Sequence, residues 1–333
     1  MLKLIFKLPE SIKKWIAGTP EVRRGITLDL DMQIVCKLGR LIPPLETFSP
    51  KVARKLFSKS LSLFASKPAP IASFEDITIY QNGRTFFLRL YFPVNFTENN
   101  PCLLFFHSGG HVIGSVKDYH PILTKLCYET NFVVAAVEYS LSPEFPFPAP
   151  LEDCLAAYSW ILENAKLHRI DRNRIGLLGD SAGGSLVFTV ALSCLEKQIP
   201  MPKFLAALFP MADVSKEHPS YDEMGDRFFL TQSSMRWFIG HHTAVMASRL
   251  NPLASPLLHP RLSELPPCFV SVAGFDPLHD EGVAITTKLS KVELRKYPDL
   301  IHGYFFLEGI SQKCRKANED LFFWIKSFFS VYS

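Results

Sequence analysis

Between residues 74 and 329 the chain alternates short, nearly all-apolar runs with longer stretches of helical spacing, and few folds accommodate that pattern. Cys102–Phe106 (CLLFF), Phe132–Tyr139 (FVVAAVEY), Arg174–Leu178 (RIGLL), Phe204–Phe209 and Cys268–Ala273 (CFVSVA) have no solvent-facing side. Strands of this kind are covered on both faces, as in a parallel sheet. Leu151–Ala165, Gly184–Glu196, Gly282–Ser290 and Gln312–Phe329 carry apolar residues at helical intervals and supply the cover. Upstream, Phe74–Tyr80 (FEDITIY) alternates apolar and polar residues, and Asn82-Gly83 signals a tight turn into Thr85–Phe92. The pattern predicts an α/β fold in which an antiparallel hairpin feeds a mostly parallel central sheet with flanking helices.

Two regions stand outside the alternation. Residues 1–70 are helix-like and basic and end in Lys67-Pro68-Ala69-Pro70; a second irregular stretch, at about 211–250, is rich in Met, Phe, Trp and His. Both are expected to form a helical cap beside the carboxyl ends of the strands, where open α/β sheets bind ligands. That leaves residues 71–333 as the domain built on the sheet. Lys+Arg minus Asp+Glu is 36 − 32 = +4, with no long basic run, which argues against a nucleic-acid partner.

Gly179-Asp180-Ser181-Ala182-Gly183 lies between an apolar strand and a helix. Small residues around a serine in that position permit a strained strand-to-helix turn that lifts the hydroxyl above the sheet. A serine needs a base and an acid to orient that base. His302 follows the strand-like Val292–Tyr297, and Asp276 follows Cys268–Ala273, so both fall at the same sheet edge as Ser181. The order Ser…Asp…His suits this topology, with Asp280 as the competing acid. His107-Ser108-Gly109-Gly110-His111 follows another apolar strand. Its glycines let backbone N–H groups approach a ligand oxygen and, with the N–H of Ala182, form an oxyanion hole. Taken alone, the segment also fits an ordinary glycine-rich turn. A phosphate loop is disfavoured, because the Lys-Ser/Thr ending is missing.

With these motifs the chain resembles the hormone-sensitive lipase family of α/β-hydrolases, closely over about residues 70–330 and loosely before them. The resemblance extends to Glu138–Ala149 (EYSLSPEFPFPA), to Asp276–Gly282 (DPLHDEG), and to Phe229-Leu230-Thr231 and Ser255-Pro256-Leu257 around the cap. It implies an α/β-hydrolase fold and a serine carboxylesterase acting through an acyl-enzyme on esters of short to medium acyl chains. Ser181 is then the nucleophile, His302 the base and Asp276, rather than Asp280, the acid. The oxyanion donors fall on Gly109, Gly110 and Ala182. Two positions depart from the family pattern: Ser108 replaces the first glycine of HGGG, and His111 replaces the aromatic residue that follows. No metal or organic cofactor is implied, and a homodimer is a common family state. A non-catalytic ligand-binding protein on the same fold is the alternative, although such proteins commonly lose a triad residue.

Residues 1–18 read as an amphipathic helix broken at Pro9. Leu2, Ile5, Phe6, Ile12, Trp15 and Ile16 share one face, opposite Lys3, Lys7 and Lys14. The helix is expected to cover the active site, with peripheral contact to a membrane and a lipid-surface esterase as the alternative. Trp15 and Phe228–Phe229 are candidates for an apolar substrate pocket. The seven cysteines are widely spaced and odd in number, which suggests buried thiols in a reducing, cytoplasmic setting.

Overall fold

The computed structural model describes residues 2–331. Its centre is an eight-stranded sheet: β1 Ser73–Gln81, β2 Arg84–Phe92, β3 Asn100–Phe106, β4 Val133–Glu138, β5 Ile170–Asp180, β6 Leu205–Leu208, β7 Cys268–Phe275 and β8 Val292–Ile301. The spatial order is 8-7-6-5-3-4-2-1. β1 and β2 pair antiparallel through the Asn82-Gly83 turn, whose residues both have positive φ. β2 runs antiparallel to β4, and every other pairing is parallel.

Side chains alternate across each strand, and both faces are apolar because both are covered. Leu103, Phe105, Val134 and Ala136 face one layer, built on α4 (Val116–Thr130) and α11 (Gln312–Val331). Cys102, Leu104, Phe106, Val133, Ala135 and Val137 face the other, built on α5 (Ala149–Asn164) and α6 (Ala182–Lys197). α10 is one turn earlier than the spacing predicts, at His279–Thr286 in place of Gly282–Ser290. Asp280 and Glu281 occupy its first turn, where carboxylates suit the positive end of the helix dipole. α4 has no counterpart in the sequence reading, because Pro121 lies inside it.

The N-terminal region comprises a 3₁₀ turn at Leu2–Lys7, α1 (Glu10–Ala17), a short hairpin (Val22–Arg23 with Ile26–Thr27), α2 (Leu30–Gly39) and α3 (Pro50–Phe64). The chain breaks at Pro9 as expected, but the proposed apolar face does not act as a unit. Phe6 packs edge-on against Phe64, whereas Trp15 is 82% exposed and Ile12 and Leu4 are also exposed. Met1 and the side chain of Leu2 lie outside the described residues. Trp15 is therefore no part of an enclosed pocket, and residues 2–17 pack on α2 and α3. A different part of the region reaches the site. Ala53, with Leu45, Phe48 and Phe57 packed beside it, shares one apolar cluster with Ala182 and with Leu230, Met235 and Phe238. The last two belong to α8 (Gln232–His242), which lies between α7 (Pro219–Met224) and α9 (Met246–Arg249).

Phe204, at the entry to β6, is fully buried and in ring contact with Trp324, Phe328 and Phe329 of α11. Phe204→Ala is expected to cost about 3–5 kcal/mol, through lost burial and the cavity left behind. Urea titration followed by Trp fluorescence measures this. A midpoint unchanged from wild type would mean that α11 is not anchored at this ring.

Candidate active site

Parallel strands deliver every candidate residue to one edge. The 107–111 segment follows β3, Ser181 follows β5, Asp276 follows β7 and His302 follows β8. Register does the fine placement. Phe106 pairs with Gly179, which sets the glycine loop beside the serine turn. Phe275 pairs with Ile301, so the residues after them, Asp276 and His302, emerge side by side.

Ser181 has φ 55° and ψ −117°, a conformation that side chains rarely adopt and that costs about 1–3 kcal/mol where surroundings enforce it. Here they do. The Ser181 N–H donates to the Leu208 carbonyl (2.8 Å), and the Ser181 carbonyl accepts from the Met211 N–H (3.1 Å). Gly183 lies so close to β3 that a Cβ would stand 1.9 Å from the Phe106 carbonyl oxygen, which explains the second glycine of the motif.

The Ser181 hydroxyl is 3.0 Å from His302 Nε2, and His302 Nδ1 is 2.8 Å from Asp276 Oδ2. Asp276 is fully buried, and its other oxygen accepts the Leu278 N–H (2.8 Å), which fixes the carboxylate. Asp280, the competing acid, turns away. It pairs with Arg24 (3.1 Å) and accepts the Ser220 N–H (2.9 Å). Phe209 packs edge-on against the His302 ring at 4.7 Å and limits its rotation.

Gly109 (φ 113°) and Gly110 (φ 59°) occupy backbone conformations that favour glycine. Among the described residues, the N–H groups of Gly109, Gly110 and Ala182 have no acceptor. The Phe238 ring lies against Gly110, so α8 closes over this loop. His111 is buried with φ 60° and stacks on His242 of α8 at 4.0 Å. Burial pushes His242 down to about 3 and His111 well below the ordinary imidazole range, so the pair is neutral and packs as aromatic rings. Sequence reasoning did not find His242; its only signal was membership of a His-containing irregular stretch. Nor did it single out Arg54 of α3 (Pro50–Phe64), which donates to the carbonyls of Val112 and Ser142 (2.8 Å each) and pairs with Glu144 (2.6 Å). Phe228 packs on Phe275 and Phe229 on Phe306. All seven cysteines are free and buried, and burial pushes Cys36 up to about 11.

Among the described residues, no helix is long and apolar enough to cross a membrane. A family described as having the α/β-hydrolase fold matches residues 103–306. The ethyl acetate hydrolase of Pseudomonas putida is 31% identical, over 85% of this chain and 90% of its own length. The carboxylic ester hydrolase LipN of Mycobacterium tuberculosis is 30% identical, over 92% and 85%. A thermostable esterase of Pseudomonas putida superposes with a TM-score of 0.86 at 30% identity, covering 93% of this chain and 98% of its own. The chain belongs to the hormone-sensitive lipase-like family of α/β-hydrolases and is a carboxylic ester hydrolase.

Proposed function

We propose that Ser181, His302 and Asp276 carry the hydrolysis, that Gly109, Gly110 and Ala182 supply the oxyanion donors, and that the substrates are apolar esters of short to medium acyl chains. The hydrogen-bonded line from Ser181 Oγ through His302 to Asp276 carries this reading. Ser181 Oγ attacks the ester carbonyl carbon while His302 Nε2 takes its proton, and Asp276 holds Nδ1–H and so fixes the tautomer. Charge develops on the carbonyl oxygen, and the three backbone N–H groups meet it there. Collapse of the tetrahedral intermediate expels the alcohol oxygen, which takes the proton from His302. Water then attacks the acyl-enzyme with His302 as base, releasing the acid and restoring Ser181.

The chain-length reading is supported by the apolar cluster around Ala182 and by a relative named for ethyl acetate. Residues 1–70 together with about 211–250 act as the cap, a division supported by the cluster that Ala53 shares with α8. The buried thiols suit a reducing, cytoplasmic setting. Exposed Trp15, Ile12 and Leu4 favour a second reading, in which residues 1–18 also touch a lipid surface beside Lys7 and Lys14.

Ser181→Ala is expected to lower kcat by about 10³-fold or more. Turnover of p-nitrophenyl esters from acetyl to palmitoyl should peak at one short or medium length and vanish in the variant. Activity retained in the variant removes Ser181 from the role, and a palmitoyl optimum overturns the chain-length reading. His302→Ala is expected to lower kcat by about 10³-fold or more, as Ser181→Ala does. A kcat within about tenfold of wild type takes His302 out of the role of base. For the second reading, Trp15→Ser should reduce co-sedimentation with phosphatidylcholine–phosphatidylserine vesicles; equal pelleting of both proteins ends it.

A further inference from the structure

The proposed oxyanion donors come from two separate segments, Gly109 and Gly110 from the loop after β3 and Ala182 from the turn after β5. They can serve one oxygen only if the segments keep a fixed spacing, since misplacement by about 1 Å costs on the order of 10²-fold in rate. Most side-chain bonds holding the loop lead elsewhere. Arg54 ties Val112 to α3, and the Tyr139 hydroxyl, after β4, donates to the His107 carbonyl (2.7 Å). Neither reaches the serine turn.

One path does. The Ser108 hydroxyl is 2.5 Å from the Tyr119 hydroxyl, which in turn donates to Asp180 Oδ2 at 2.8 Å. The Ser108 N–H also approaches the Tyr119 oxygen, at 3.4 Å. Asp180 immediately precedes the nucleophile, and Ser108 immediately precedes the loop glycines. All three side chains are buried, Tyr119 and Asp180 almost completely, so water does not compete for these bonds. Ser108 does not have a positive φ, so a residue other than glycine fits there without backbone strain. Its hydroxyl is what distinguishes it from the glycine it replaces.

We propose that Ser108, Tyr119 and Asp180 form a buried tether between the oxyanion loop and the nucleophile turn, and that all three are positioning residues for Gly109 and Gly110. This rests on the assignment of those glycines as oxyanion donors. The tether predicts a loss confined to the transition state, because the N–H groups it places meet charge only there.

The test compares wild type with Ser108→Ala, Tyr119→Phe and the double variant, measuring kcat and KM on p-nitrophenyl acetate, with Ser181→Ala alongside. Each single variant should lose about tenfold in kcat with KM within about twofold. The double variant should be no slower than the worse single variant, because both break the same chain. Losses that multiply, a change in KM without kcat, or unchanged kcat in a variant with wild-type circular dichroism overturn the tether. Ser108→Ala carries the test alone if Tyr119→Phe does not fold. Turnover retained in Ser181→Ala would instead defeat the serine mechanism itself, which separates that failure from failure of the tether.

Discussion

The geometry of the site depends on a backbone turn that the chain would not adopt unaided. Ser181 sits at positive φ between a strand and a helix, and the cost of about 1–3 kcal/mol must be offset by its surroundings. The end of β6 offsets part of it by accepting the Ser181 N–H, and the Met211 N–H holds the following carbonyl. The strain has a structural return: the serine side chain stands clear of the sheet, and the next N–H, that of Ala182, has no acceptor among the described residues. A relaxed serine at the start of α6 would lose both.

The neighbouring strands follow from that turn. Its second glycine brings α6 against the Phe106 carbonyl, and the same approach draws β3 and its glycine loop close to Ser181. On the other side, β7 and β8 run in parallel register, so a fully buried carboxylate and an imidazole leave the sheet together. A buried Asp276 is tolerable because one oxygen faces His302 Nδ1 and the other accepts a backbone N–H.

Much of this was legible in the residues. Apolar runs such as Leu103–Phe106 have one physical explanation, cover on both faces, and that fixed the sheet class before any contact was known. Ser181, His302 and Asp276 could be singled out because triad chemistry restricts residue type and strand order restricts position, and the three side chains meet in one hydrogen-bonded line. Position and the family resemblance both placed Asp276 ahead of Asp280; in the structure Asp276 faces His302, whereas Asp280 pairs with Arg24, distant in sequence. Helix α4 was hidden by Pro121, although its apolar residues at 119, 122, 123 and 126 line one face. A proline inside a helix normally costs stability. Here the covered face of α4 is buried deeply enough to outweigh that cost. Trp15 failed as a pocket residue because periodicity ranks the faces of a helix without saying which neighbour covers them. Arg54 and Tyr119 left no sequence signal, and His242 only its place in a His-containing stretch, since each meets a partner far away in the chain.

The apolar cluster at the serine turn adds a constraint of its own. Phe238, Met235, Leu230 and Ala53 share it with Ala182, and Ser181 is only 6% exposed. In such a dry enclosure electrostatic interactions are far stronger than they would be in water. The same dryness penalises any charge without a partner, which is why His111 and His242 are neutral and meet as stacked rings. The ion pairs that join the N-terminal region to the rest of the chain, such as Arg54 with Glu144 and Arg24 with Asp280, sit toward solvent, where pairing costs little desolvation. Apolar contact thus encloses the serine turn, and these paired charges are kept to the rim.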